Sequence, residues 1–192
     1  MKIDRNLNLV LTVERDEGDA YVYSSPISKD VFERYFLTIS KTYAAMLENG
    51  GEWLVRMGPR VAKMMLKRVA EADGSWEGPE GVQNGLLAEI RRLSTVLVMT
   101  DQGWDHVPLE QAVRKNLFSA DDADEVENAV TFFIVGCASM RKREADALMS
   151  MIFGIFGAST TSLSLIDYQS SLPTSKPEEN TGEKATASSI PR

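Results

Sequence analysis

The feature that most constrains this chain is the helix written into residues 119–137. Ser119 is followed three residues later by Asp122, a capping box with Asp where Glu is usual. Asp121, Asp122 and Asp124 lie where the helix dipole is positive. Val126, Val130, Phe133, Ile134 and Cys137 then recur at steps of four, three, one and three, which places them on one face. A face this apolar must be buried against other elements, so the chain has to build a packed domain around it. The approach to this helix is punctuated. An apolar run, Val96–Met99, breaks at Thr100–Gly103, and Trp104 stands just ahead of Pro108, which starts a short helix through Leu109, Ala112 and Val113. A second turn, Leu117–Ala120, leads into the capped helix.

Upstream, Asn6–Val13 and Ala20–Tyr23 are β-prone runs on either side of Arg15-Asp16-Glu17-Gly18-Asp19, the pattern of a β-hairpin. Two strands are marginal in water, so the hairpin must pack on something or pair across a subunit boundary. Ser28 is an N-cap with Asp30 in the first turn. Phe32, Phe36, Ile39, Tyr43 and Met46 follow as one helical stripe, stopped at Asn49-Gly50-Gly51. The stripe reads as core, or as an interface if the helix is only half covered. Gly58-Pro59 predicts the start of another helix, with Val61, Met64, Met65 and Val69 as its apolar face. Arg56, Arg60, Lys63, Lys67 and Arg68 form a basic cluster there, either a solvated face or a contact for an acidic partner. After a loop at Ala72–Gly81, residues 86–98 are expected to continue as a helix into Val96–Met99, with Arg91 and Arg92 outward.

Beyond Arg141-Lys142-Arg143 the spacing predicts a helix over Ala145–Phe156, with Leu148, Met151, Ile152 and Ile155 apolar. Met149–Ala158 is apolar nearly all round, which also suits docking onto a partner. Ser159–Ser164 is Ser/Thr-rich, and from Ser170 onward apolar residues almost vanish, the composition of a disordered tail. No internal repeat is visible. The expected architecture is therefore α+β and mainly α-helical: an N-terminal hairpin over residues 1–25, about five or six helices over 28–165 in a single globular domain, and a polar tail over 166–192.

Composition narrows the function classes. A net charge of −7 argues against nucleic acid as a partner, since phosphate binding needs a basic footprint. The first thirteen residues lack a secretory h-region, and the apolar C-terminal stretch is shorter than the roughly 20 residues a spanning helix needs, so neither secretion nor a membrane is expected. One cysteine excludes an internal disulfide. Catalytic patterns are equally thin. His106 and Cys137 are the only residues of their kinds and fall on different elements, and Cys137 belongs to an apolar face where cysteine acts as a small hydrophobe. Asp121–Glu125 lacks the alternation and central glycine of a calcium loop and is explained by capping. Asp101 and Asp105 flank Trp104 in a turn, where Asp is favoured for backbone reasons. No metal or cofactor is expected, and an enzyme is not.

The order of features resembles the tail assembly chaperones of long-tailed bacteriophages. The resemblance rests on Gly103-Trp104, then Val107-Pro108-Leu109 and Ala112, then Glu125-Val126-Glu127-Asn128 on an acidic capped helix, then Phe132-Phe133. Thr160-Thr161-Ser162-Leu163 and Ser171-Leu172-Pro173-Thr174-Ser175 look like that group as well, and Tyr35-Phe36 ahead of Ile39-Ser40-Lys41-Thr42 is compatible with it. The resemblance implies a non-enzymatic assembly factor in the host cytoplasm. Such a factor binds the long helical tape measure protein, keeps it soluble, helps bring major tail tube subunits to it, and self-associates along it. Many are made in two lengths by a programmed frameshift. The competing expectation is a structural virion component, such as a tail completion or connector protein. Candidate partner-binding residues are Phe32, Phe36, Ile39, Tyr43, Met151, Ile152 and Ile155, because an amphipathic helical client needs apolar surface to lie on.

Overall fold

A computed structural model describes residues 7–14, 19–100, 103–139, 142–155 and 157–173. The architecture is α+β: a sheet carried mainly on helices. Strands β1 (Asn8–Val13) and β2 (Ala20–Ser24) form the expected antiparallel hairpin, with Leu11 opposite Val22. The tip of its turn, residues 15–18, lies outside the described residues.

The hairpin is not left alone. Residues 94–108 do not continue a helix; they form a second hairpin, β3 (Ser94–Thr100) and β4 (Gly103–Pro108). β3 pairs with β2, and a short strand β5 (Ala158–Thr161) pairs with β1, giving the antiparallel order β4-β3-β2-β1-β5. The helix expected through Val98 therefore ends at Leu93. Ser94 is the turning point: its hydroxyl donates to the Ile90 carbonyl at 2.9 Å and lies 3.2 Å from the Ser24 hydroxyl across the strand pair. Thr95, Val96 and Val98 are β-branched, and pairing on both sides outweighs their weak tendency to prolong a helix.

Period-two alternation sends the two sets of strand residues to different layers. Leu11, Val22, Val96 and Val107 sit in one cross-strand row on the face covered by the helices. Val10, Tyr23 and Leu97 point to the other face and are buried there too. Their cover is the last helix, α8 (Leu165–Ser171), with Leu172 buried just beyond it. Tyr168 meets Tyr23 with ring centroids 6.0 Å apart, the Trp104 indole donates to the Pro173 carbonyl at 2.8 Å, and the Tyr23 hydroxyl donates to the Leu163 carbonyl at 2.9 Å. The folded unit thus extends past residue 165, where a polar tail was expected to begin. Residues 174–192 lie outside the described residues.

The helices are α1 (Lys29–Arg34), α2 (Phe36–Glu48), α3 (Gly51–Ala72), α4 (Leu86–Leu93), α5 (Leu109–Arg114), α6 (Ala120–Ser139) and α7 (Lys142–Phe153), which with α8 makes eight among the described residues. Ser28 caps α1, accepting from the Val31 amide at 3.3 Å. The stripe read as one helix is broken at Tyr35, whose ring is buried and whose hydroxyl donates to the Glu80 carbonyl at 3.0 Å. Gly85 makes room for it, since a Cβ there would overlap the Tyr35 hydroxyl.

α3 starts at Gly51 rather than at Pro59, which it contains in its interior. Its buried residues include Leu54, Gly58, Ala62, Leu66 and Ala70, a ladder in steps of four, with Pro59 buried beside Gly58. The face expected from Val61, Met64, Met65 and Val69 is half-buried at most, and Met64 is exposed. The reason is close approach. α6 lies against α3, and a Cβ on Gly58 would come within 2.4 Å of the Phe132 ring. Small residues let the two backbones approach, and that gain outweighs burying methionine.

Candidate functional site

α6 is built as its sequence demands. The Asp122 amide donates to the Ser119 hydroxyl at 3.0 Å and the Ser119 amide to Asp122 Oδ2 at 3.1 Å, a reciprocal capping box. Val126, Val130, Phe133 and Ile134 are in the core, and Cys137 is half-buried against it. On the side of α6 that meets α3 and α4 lies an ion network centred on a buried carboxylate. The Glu127 carboxylate, only 9% exposed, accepts from Lys63 Nζ and from Arg91 Nε, each at 2.6 Å. Lys63 also reaches Asp124 at 2.6 Å, and its backbone amide donates to Asn128 Oδ1 at 3.1 Å. Asn128 Nδ2 donates to Asp124 Oδ2 at 3.0 Å. Burial alone would lower the Lys63 ammonium, but the hydrogen bonds to Asp124 and Glu127 outweigh it and hold its pKa above the ordinary value. The hydrogen bond to Glu127 likewise holds the Arg91 guanidinium up, against the opposing effect of burial.

These contacts correct one sequence reading. Arg91 was expected outward beside Arg92; it turns in to Glu127, while Arg92 forms an exposed two-pronged pair with Glu89. The basic cluster is largely the solvated face it was read as, with Arg56, Arg60, Lys67 and Arg68 exposed. Lys63 belongs to the network, Arg56 pairs with Glu52, and Lys67 pairs with Glu71 and lies 5.6 Å above the Trp76 ring. The network's cations and carboxylates neutralise one another, so its chemistry is that of a clamp holding α3, α4 and α6 together.

No arrangement suited to catalysis is visible among the described residues. His106 is on the exposed face of β4 and Cys137 is near the end of α6. Asp105, expected in a turn, lies within β4, where its carboxylate accepts from the His106 amide at 2.8 Å, and Asp101 lies outside the described residues. No group of three or more His, Cys, Asp or Glu is placed to hold a metal ion among them. An open cleft of about 480 Å³ is lined by Asn8, Tyr23, Thr95, Arg92 and Ser164, but the guanidinium of Arg92 is engaged by Glu89.

The surface that stands out is apolar. The seven candidate partner residues do not form one groove. Phe32, Ile39 and Ile152 are buried, so they hold the core; Tyr43 is half-buried; Phe36, Met151 and Ile155 are exposed. On α2, Phe36 is joined by residues that the stripe omitted. Leu37 is 68% exposed, and Ala44 and Leu47 are exposed as well. On a helix these positions and Tyr43 share the side away from the buried Thr38, Ile39, Thr42 and Met46, with the half-buried Ser40 between them. α2 is thus apolar on both sides, with only one side covered by its own chain. Leu37, Ala44 and Leu47 are spaced by seven and three, a second stripe beside the first, and that spacing was the available sequence signal. Met57 and Met64 are exposed on α3, two turns apart. Met151 is exposed on α7, and Ile155 is exposed in the turn just beyond its end.

No helix among the described residues is long and apolar enough to cross a membrane. No protein-family model, curated protein or solved structure matches the chain.

Proposed function

We propose that this chain is a tail assembly chaperone of a long-tailed bacteriophage. It acts in the host cytoplasm without catalysis, keeping the helical tape measure protein soluble and helping to recruit major tail tube subunits. The observation that carries the reading is the outward band of α2: Phe36, Leu37, Ala44 and Leu47, with Tyr43 at its margin. Apolar residues on both sides of a surface helix signal a helix that is covered twice, once by its own core and once by something else. An amphipathic client helix offers the matching surface, reading the band through positions spaced three and four apart. Met57 and Met64, flexible and polarisable, suit a client whose sequence changes along its length. The succession Gly103-Trp104, Val107-Pro108-Leu109 and Phe132-Phe133 supports the same reading through its resemblance to that group.

The test is a pull-down of tagged protein from infected cells, with purified particles analysed in parallel by mass spectrometry. Tape measure and tube proteins in the pull-down, with the tagged chain missing from particles, are the expected result. The chain present in particles at fixed copy number would overturn the chaperone role in favour of a structural virion component. Leu37→Glu should remove the client while leaving the far-ultraviolet circular dichroism unchanged. Ile39→Glu, aimed into the core, should unfold the protein.

A further inference from the structure

The segment that follows α8 meets the sheet through its backbone. α8 itself buries no residue, and the first buried side chain after it is Leu172. Leu172 has φ −72° and ψ 149°, which is polyproline II geometry, and the ring of Pro173 fixes its own φ in the same range. Proline also confines the residue before it to extended backbone, so Leu172-Pro173 favours this shape before any contact is made. A polyproline II segment makes no internal hydrogen bonds, which leaves its carbonyls in need of donors. The Pro173 carbonyl finds one in the Trp104 indole at 2.8 Å.

The indole does not stand alone. Tyr21 of β2 meets Trp104 edge to face, with ring centroids 5.3 Å apart. Both side chains are half-buried, as is Met99, the β3 partner of Trp104, while Pro173 is exposed. The result is a shallow aromatic surface that water still reaches, with one donor aimed at a backbone carbonyl. An indole N–H can only donate, so a carbonyl is what it reads. These are the parts by which proline-containing segments are recognised: aromatic side chains with a polar handle, and a ligand whose shape costs little entropy to fix.

We propose that Tyr21 and Trp104 form a recognition site for extended, proline-containing peptides. Leu172-Pro173 fills it as an internal ligand, which an apolar-proline segment of a partner protein replaces. The indole bond goes to the backbone of the resident segment, so a segment of the same shape from elsewhere satisfies it equally. Replacement needs no opening of the core, because the bond lies at the surface. The resident also states the partner's chemistry: an apolar residue followed by proline, with no charge at either position. The inference does not rest on the client of α2. Leu37→Glu should leave peptide binding unchanged, and Trp104→Phe should leave recovery of the client unchanged.

The probe is a synthetic peptide with the sequence of residues 170–176, Ser-Ser-Leu-Pro-Thr-Ser-Lys, added to the full chain. The readout is the indole N–H resonance of Trp104, identified by its loss in Trp104→Phe. The double variant Leu172→Ser with Pro173→Gly releases the resident segment, and the peptide should bind it and shift that resonance. In the wild type the same shift should need at least ~10-fold more peptide, because a tethered segment competes at an effective concentration of roughly millimolar. Replacing the peptide's proline by alanine should weaken binding at least ~10-fold, and so should Trp104→Phe in the released chain, read by calorimetry at unchanged circular dichroism. If the released chain loses its circular dichroism, the wild-type titration with the proline and alanine peptides decides. No shift in either chain, equal binding of the two peptides, or full binding by Trp104→Phe would each overturn the site. A Trp104 resonance that moves with wild-type concentration would put a second copy's segment there and overturn the internal ligand.

Discussion

Replacing Glu127 by alanine should be among the most damaging single changes to a polar residue in this protein. Glu127 accepts from Lys63 of α3 and Arg91 of α4, so its removal leaves two cations facing a partly dehydrated gap. Breaking a buried ion pair from one side costs about 3–5 kcal/mol. Two features reduce that here. The Arg91 side chain is 36% exposed and can turn toward water, and Lys63 keeps Asp124 at 2.6 Å. The expected loss is therefore about 2–3 kcal/mol. For a chain of this size each kcal/mol moves the melting temperature by about 2–4 °C, so the variant should melt about 5–10 °C lower. The comparator is Glu110→Ala, which breaks the exposed pair with Arg114 and should cost no more than about 0.5 kcal/mol. Urea denaturation of both variants, completed as a double-mutant cycle with Lys63→Met, measures the difference. The cycle should show coupling above about 1 kcal/mol between positions 63 and 127. If Glu127→Ala costs no more than Glu110→Ala, the network does not clamp the helices.

Gly58→Ala should lower stability by about 1–2 kcal/mol despite alanine's better helix propensity, because the new methyl meets Phe132, and Phe132→Leu in the same chain should recover part of the loss. Thr131→Val should be neutral or stabilising by up to about 1 kcal/mol in the same assay, since the buried Thr131 hydroxyl has no hydrogen-bond partner among the described residues. Ser119→Ala should cost about 1 kcal/mol by opening the capping box of α6, visible as a lower urea midpoint. Alkaline pH should loosen α8 from the sheet. Burial first, and then the neighbouring Tyr21, push the Tyr168 phenol up to about 12 from an ordinary 10.0, and burial also raises Tyr23 opposite it. The folded state therefore favours the neutral phenol, so this contribution is whole below pH 10 and is lost as pH rises from 10 through about 12. An absorbance titration should show a tyrosine component at about 12 that Tyr168→Phe removes; its persistence in the variant would contradict the assignment.

Much of the local structure was legible in the residues themselves. The hairpin of Asn8–Val13 and Ala20–Ser24, the Ser28 cap, the short helix after Pro108 and the capping box of α6 depend on groups within a few residues of one another. Their free energies are set by backbone geometry and by hydrogen bonds that close inside one turn, so local sequence determines them. The apolar face of α6 was equally readable, because a periodic stripe has one side to bury.

What the tertiary structure decided is where such elements meet. Residues 94–100 became a strand because β2 and β4 offer hydrogen bonds on both sides, and neither partner is visible from within the run. α3 turned its glycine and alanines inward rather than its methionines, because the Phe132 ring requires a close approach that propensity does not encode. Arg91 faces Glu127 across 36 positions of sequence, and a charge on a helix does not announce which side of the helix it is on until its partner is placed. α8, most of which falls in the tail expected from residue 166, is held as structure by the rings of Tyr23 and Trp104 on the far side of the sheet. In each case sequence-local terms of a few tenths of a kcal/mol up to about one per residue were outweighed by burial and pairing with residues far along the chain.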